Sequence, residues 1–253
     1  LDAVRANLLS PAVLFFALGL IAALTKSDLK FPEPLYVGLT IYLLVALGFK
    51  GGVAIADAGL AKVWLPALAA MALGALIPLW TYPLLRFGGK FGAVDAAAIA
   101  AHYGSVSAVT FIAATNYLKA VNQPYENYAT AFLAVMESPA ILVGVVLGKM
   151  TTSKSGKPDM TSLKAAMHEA LFGRSIFLLV GALVVGALCG KRGMEKVEPF
   201  FVTPFQGVLA LFLLEMGTVA GRRLEDLKKV GPFLFAFGVV MPLLHGILGL
   251  YLG

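Results

Sequence analysis

Val94-Asp95-Ala96-Ala97-Ala98-Ile99-Ala100-Ala101-His102-Tyr103-Gly104-Ser105-Val106-Ser107-Ala108-Val109-Thr110, followed by Phe111-Ile112-Ala113-Ala114-Thr115, is the stretch that decides the fold. Its alanine-rich start favours helix, yet glycine and hydroxyl residues interrupt it where an apolar span would lie mid-membrane. Serine and threonine can satisfy backbone groups freed by such a break. A second helix starting near Ser105 would point its unbonded N–H groups and positive dipole end at the midplane, where an anion can bind without a buried lysine. The backbone from Gly104 through Ser105 and Val106, with the hydroxyls of Ser105, Ser107 and Thr110, is therefore the candidate anion site. A competing reading is a continuous span whose small residues sit at a close helix contact. His102 and Tyr103 are read as packing residues.

The rest of the chain puts that stretch in a membrane. Of 253 residues, 59% are hydrophobic and 13% charged, and the mean hydropathy is +0.86. Soluble domains carry roughly a quarter charged residues, so the apolar excess must face lipid. Runs near the roughly 20 residues needed to cross hydrocarbon fall at 9–25, 34–50, 62–86, 93–118, 127–149, 171–190, 199–220 and 230–253. Turn or charge signals separate them: Thr25-Lys26-Ser27-Asp28, Gly88-Gly89-Lys90, Asn122-Gln123-Pro124 and Lys191-Arg192-Gly193. No small-residue cleavage site follows the first run, so it is expected to be retained as a span.

Glu137 stands inside the fifth run, in Met136-Glu137-Ser138-Pro139-Ala140. A carboxylate at membrane depth costs several kcal/mol unless paired, which marks it as a functional candidate. Pro139 removes a backbone donor and frees a carbonyl one turn earlier. Glu137, Ser138 and freed carbonyls, with Ser107, are oxygen ligands suited to Na+. A protonated glutamic acid, or an ion pair with a basic residue, would also explain Glu137. Glu215 is the other acidic residue in an apolar run and is placed nearer a membrane boundary. His245 is read as a satisfied packing histidine, with a proton relay as the alternative.

Two segments match at an offset of about 166 residues. Gly51-Gly52-Val53-Ala54, Leu60-Ala61-Lys62-Val63, Pro66 and Pro78 parallel Gly217-Thr218-Val219-Ala220, Leu227-Lys228-Lys229-Val230, Pro232 and Pro242. The expected organisation is a first repeat over 1–149 with five spans, a polar linker over 150–170 and a second repeat over 171–253 with three. The segment 162–171 can form a short amphipathic helix. A five-span unit inserts its copy upside down, which gives an inverted-topology repeat. The counterparts of spans four and five are then expected beyond Gly253, ending near position 315, and the 253 residues alone are expected neither to transport nor to bind the anion. Arg5, Lys50, Lys62, Lys119, Lys191, Arg192 and Lys196 fall on one side, and the other thirteen Lys and Arg on the opposite side. This puts the linker in the cytoplasm and the N-terminus outside.

Other classes find little support. Cys189 is single, so no internal disulfide or Cys-based metal spacing is possible. No nucleophile elbow, phosphate loop or zinc-protease motif appears, and no enzyme activity or organic cofactor is expected. The net charge of +6 is spread between apolar runs and forms no nucleic-acid face.

Gly51-Gly52-Val53-Ala54-Ile55, Val94-Asp95-Ala96, the break from Gly104 to Thr110, Glu137-Ser138-Pro139-Ala140 and Pro242-Leu243-Leu244-His245-Gly246 occur in this order along nearly the whole chain. In these segments the chain resembles the sodium-dependent bicarbonate transporters of the cyanobacterial type and their bacterial relatives. The resemblance implies an all-α polytopic protein of the inner membrane, with two inverted repeats of five spans. It implies a scaffold or gate domain, a mobile core domain, and broken helices where bicarbonate or a similar small anion meets Na+ as coupling ion. Gly104, Ser105, Val106, Ser107 and Thr110 would hold the anion; Ser107, Glu137 and Ser138 would hold or couple Na+. A homotrimer and a cytoplasmic PII-like regulator would be the partners. The chain departs from the pattern in carrying Glu137 where aspartate is expected, and in its shorter linker. A proton-coupled or sodium/proton exchanger, and a non-transporting membrane receptor or regulatory subunit, are the alternatives.

Overall fold

The computed structural model describes Arg5, residues 8–152, Thr161, Lys164, Ala165, His168, and residues 172–224 and 231–252. The described elements are helical, with no strand among the described residues. Helix α1 spans Pro11–Leu24, α2 Glu33–Ala58, α3 Leu60–Pro83, α4 Ala93–Gly104, α5 Ala108–Ala120, α6 Phe132–Thr152, α7 Arg174–Phe201, α8 Phe205–Arg222 and α9 Pro232–Leu252. A π-turn, Leu84–Gly88, extends α3, and a 3₁₀ turn, Asn127–Ala131, leads into α6.

Local chemistry sets most ends. Ser10 caps α1, its hydroxyl accepting from the Val13 N–H, with Pro11 in the first turn. Three of the four expected breaks turn on a residue in the left-handed region: Lys26 (φ 56°), Lys90 (φ 58°) and Asn122 (φ 53°). Gly59 (φ 81°) separates α2 from α3 with a single residue, a conformation open to glycine.

Six segments are long and apolar enough to cross a membrane: Glu33–Ala58, Leu60–Gly88, Ala93–Ala120, Asn127–Met150, Arg174–Phe201 and Pro232–Leu252. Helix α1 is apolar but has 14 residues, and α8 has 18 with Glu215 inside. Large apolar side chains stand exposed along α1, α3, α7 and α9, among them Leu18, Leu68, Leu188 and Leu243. The chain is a multi-pass membrane protein.

Three span boundaries differ from expectation. The span expected to end at Lys50 runs on to Ala58, because Gly51 and Gly52 serve close packing rather than a turn. The break expected at Lys191-Arg192-Gly193 is a kink: Gly190 (φ 59°, ψ −159°) bends α7, which then continues to Phe201. Contacts with α2 hold that continuation. Lys191 pairs with Asp57, Phe201 stacks on Phe49, and the Tyr42 hydroxyl donates to the Phe200 carbonyl. Span seven accordingly starts at Phe205 rather than 199. At the linker, helix α6 reaches Thr152; most of 150–170 and of the expected helix 162–171 lies outside the described residues, as does Gly253.

The helices pack in two groups. Helices α1, α2, α7 and α8 form one, around Leu43, Leu47, Leu179, Phe205, Leu209 and Leu213. Helices α3, α4, α6 and α9 form the other, with Tyr82, Leu85, Ala96, Ala97, Ala100, Phe237 and Met241 at its centre. Helix α5 and the start of α6 join them through Ile112, Leu133 and Ala134. Within the first group α1 pairs with α8 and α2 with α7, and both crossings use facing glycines. A Cβ on Gly19 would lie 2.0 Å from the Leu214 carbonyl oxygen and 2.9 Å from the Thr218 nitrogen; one on Gly217 would lie 2.0 Å from the Phe16 oxygen and 3.0 Å from the Leu20 nitrogen. At the other crossing, a Cβ on Gly52 would lie 1.9 Å from the Leu183 oxygen and 2.7 Å from the Ala187 nitrogen, and one on Gly186 would lie 2.2 Å from the Phe49 oxygen. Each glycine meets the carbonyl three residues before the glycine it faces. Small residues let helix backbones approach this closely in lipid, where dispersion contacts replace the hydrophobic drive.

Candidate functional site

Helix α4 stops at Gly104 and α5 starts at Ala108, so the fourth span is broken within the membrane. Ser105 (φ −102°, ψ 165°) and Ser107 (φ −70°, ψ 124°) are extended. The second helix begins three residues later than the sequence suggested, because Ser107 caps it: its Oγ accepts from the Thr110 N–H at 3.4 Å. Gly104 has a different role. It is buried, and a Cβ there would come within 2.6 Å of the Gly74 oxygen, 2.7 Å of Pro78 Cγ and 2.8 Å of Ala140 Cβ. The end of α4 is thus wedged between α3 and α6.

This changes which donors are available. As the last residue of α4, Gly104 has its N–H inside the helix, and the Ser105 N–H donates to the His102 carbonyl at 3.3 Å. The next N–H groups, at 106–109, have no hydrogen-bond partner among the described residues. They form the free N-terminal edge of the 13-residue helix α5, where orphan donors and the dipole both favour an anion. Of the expected residues, Val106 and Ser107 supply such donors and Gly104 does not. The Val106 side chain packs on the first helical group, so only its backbone faces the site. Thr110 and Ser107 are exposed.

A groove of about 640 Å³ runs between α4 and α6. Ser105 and Glu137 line it together, with His102 one helical turn before Ser105 and Lys149 at its far end. The Ser105 hydroxyl donates to the His102 carbonyl at 3.0 Å, leaving its oxygen free to accept or coordinate. Helix α6 contains Pro139, which lacks an N–H, so the Val135 carbonyl has no donor one turn on; Pro78 does the same for the Gly74 carbonyl beside Gly104. The groove thus brings a half-buried carboxylate together with a hydroxyl oxygen, both hard-cation donors, while the residues of the two freed carbonyls, Val135 and Gly74, do not line it. Ser138, Ser107 and Thr110 do not line it.

His102, expected to pack, is exposed on the groove wall, with Nδ1 3.0 Å from the Ala98 carbonyl. Its i, i+3 spacing to Ser105 was the available signal. Tyr103 does pack, edge-on to Phe237 and His245. Glu215 lies off this groove, with its Oε2 buried and unpartnered among the described residues.

A bundle of membrane-crossing helices, one of them broken and facing a mid-span acid, has the architecture of a multi-pass membrane transport protein. A family-wide sequence model of the Na+-dependent bicarbonate transporter superfamily matches residues 11–253, and the chain belongs to that superfamily. No curated protein is similar enough to be matched to it.

Proposed function

We propose that this protein is a Na+-coupled symporter that takes up bicarbonate or a similar small anion by alternating access. One observation carries the reading: unbonded N–H groups at 106–109 open the second half of a broken span, beside a groove that brings Ser105 and Glu137 together. The N–H groups and the α5 dipole hold the anion. Glu137 and the Ser105 oxygen hold Na+. The nearby cation offsets the anion's charge, so each favours the other's binding.

The inverted repeat is supported by the paired glycine crossings. Exchanging α1 with α7 and α2 with α8 turns the α1–α8 crossing into the α7–α2 crossing, and Gly19 and Gly217 take the places of Gly186 and Gly52. On the inverted-repeat reading, a two-fold axis in the membrane plane would perform that exchange. On this reading α1, α2, α7 and α8 are the scaffold, and the group holding the broken span moves against it. The balance of Lys and Arg favours a cytoplasmic linker in an inner membrane.

His102 beside Glu137 favours a second reading, in which the groove carries a proton. Uptake of labelled bicarbonate by proteoliposomes of the full-length protein separates the two. Symport requires uptake driven by an inward Na+ gradient. Uptake driven equally by a pH gradient in Na+-free buffer favours the proton reading, and no Na+ dependence for any small anion overturns the proposal.

A further inference from the structure

A second cavity, of about 620 Å³, lies at the N-terminal end of α6, away from the Lys149 end of the first groove. Helices α2 and α7 of the first group form one wall. The start of α3, the end of α5 and the 3₁₀ turn form the other. Four lysines converge on it from four helices: Lys50, Lys62, Lys119 and Lys191. Two carboxylates share it, Asp57 and Glu126. Asp57 is engaged by Lys191 at 2.5 Å, which leaves three lysines against one acid. Lys50 is half-buried, with Nζ 4.5 Å from the centre of the Phe205 ring and no carboxylate partner among the described residues.

Such a cavity is costly unless something negative enters it. Like charges gathered between low-dielectric walls focus the field and raise the local concentration of counter-ions. The ring face of Phe205 offsets part of the Lys50 charge without supplying a hydrogen-bond acceptor, so the ammonium retains donors for a ligand. The volume suits a small oxyanion with its water and is too small for a folded partner.

We propose that this cleft is an anion antechamber: a weak site, distinct from the broken helix, that gathers small oxyanions such as bicarbonate where the two helical groups meet. As a step in transport it rests on the anion-uptake reading above. The charged cleft itself can be tested without transport.

The test uses the full-length protein with Cys189→Ala, reconstituted in phosphatidylcholine vesicles so that no anionic headgroup competes. Ala54→Cys, on the cavity wall, is the reporter, and Met194→Cys, also lining it, is the second. Each is reacted with an anionic sulfonatoethyl and a cationic trimethylammonioethyl thiosulfonate, and the ratio of rates is referred to that of a free thiol in solution. The anionic reagent is expected to be favoured by about tenfold over the free-thiol ratio. Lys50→Gln with Lys119→Gln should remove most of that preference, and millimolar bicarbonate should slow the anionic reagent. A ratio equal to the free thiol's, a preference unchanged in the double variant, protection by added anionic lipid but not by bicarbonate, or two unreactive reporters would each overturn the antechamber. If the preference holds while uptake shows no anion requirement, the transport reading fails and the cleft stands.

Discussion

The indole N–H of Trp80 donates to Nε2 of His245 across 3.0 Å, joining α3 to α9 between residues 165 positions apart in the chain. That separation nearly equals the offset of the two matching sequence segments, so the bond links residues at near-equivalent places in each. Nε2 accepts, which puts the neutral ring's proton on Nδ1. Tyr103 of α4 stands edge-on to the same ring, with centroids 5.9 Å apart. His245 therefore ties three helices together, as a satisfied packing histidine does.

Replacing it shows what the bond contributes. His245→Phe keeps a ring for Tyr103 to pack on but leaves the Trp80 N–H without an acceptor, at an expected cost of about 1–3 kcal/mol. Thermal unfolding in detergent should register the loss. The chain has two tryptophans, so a Trp64→Phe background isolates Trp80, whose emission should shift to the blue. An unchanged spectrum would show that the indole finds another acceptor.

The glycine crossings carry an internal control. Gly52→Ala would place a methyl within 1.9 Å of the Leu183 oxygen, and Gly217→Ala within 2.0 Å of the Phe16 oxygen; at Gly181, on the same helix as Gly186, a methyl would meet nothing within 4 Å. Separating two backbones by more than 1 Å forfeits most contacts along the seam, so the first two changes should each cost about 1–3 kcal/mol or more. Gly181→Ala should be neutral or slightly stabilising. Equal unfolding temperatures for all three would mean that the crossings are looser than described.

These glycines mark where sequence reading succeeded and where it stopped. Hydropathy, Lys26, Lys90 and Asn122 gave the spans and three of their breaks, because charge and turn chemistry are local. The mid-span break was legible from Gly104 and the serines, and Glu137 from the cost of a carboxylate in lipid. Gly51 and Gly52 read as a helix end, since glycine breaks an isolated helix; only the approach of α7 to Gly52 and of the 3₁₀ turn to Gly51 shows that they make room for a backbone. Lys191 and Arg192 read as a loop, since the Asp57 partner and the Phe201 contacts lie more than a hundred residues away. The change of role between Gly104 and Ser107 needed the position of Pro78 on another helix.

Ser107 caps α5 and stands at its free N–H edge. Ser107→Ala should cost the cap about 1 kcal/mol, which fraying of the first turn would pass on to the anion. The apparent Km for bicarbonate should rise about fivefold, with the Na+ dependence kept. Ser107→Asp should preserve the cap, since aspartate caps as well as serine, yet repel the anion. A Km that follows stability across both variants would place the anion elsewhere; one that rises in the aspartate variant despite a restored melting temperature would place it at this edge.

Glu137 separates the coupling readings. Its carboxylate lines the groove with Ser105 and His102, and on the symport reading it must be ionised when Na+ is bound. Glu137→Gln keeps size and polarity but removes the charge, and is expected to lower Na+-driven uptake by at least about tenfold, equivalent to roughly 1.4 kcal/mol of lost cation binding. Glu137→Asp keeps the charge on a side chain one methylene shorter. It should retain Na+ dependence with a raised Na+ requirement, because an oxygen donor remains within reach of the groove. His102→Gln then sets the role of the imidazole. If Na+ alone is coupled, this variant should transport with an unchanged Na+ requirement and a pH profile like the parent's. If the groove carries a proton, the variant should flatten the pH dependence, and Glu137→Gln should abolish exchange in Na+-free buffer as well. Unimpaired Na+-driven uptake in Glu137→Gln would remove the carboxylate from the coupling site altogether.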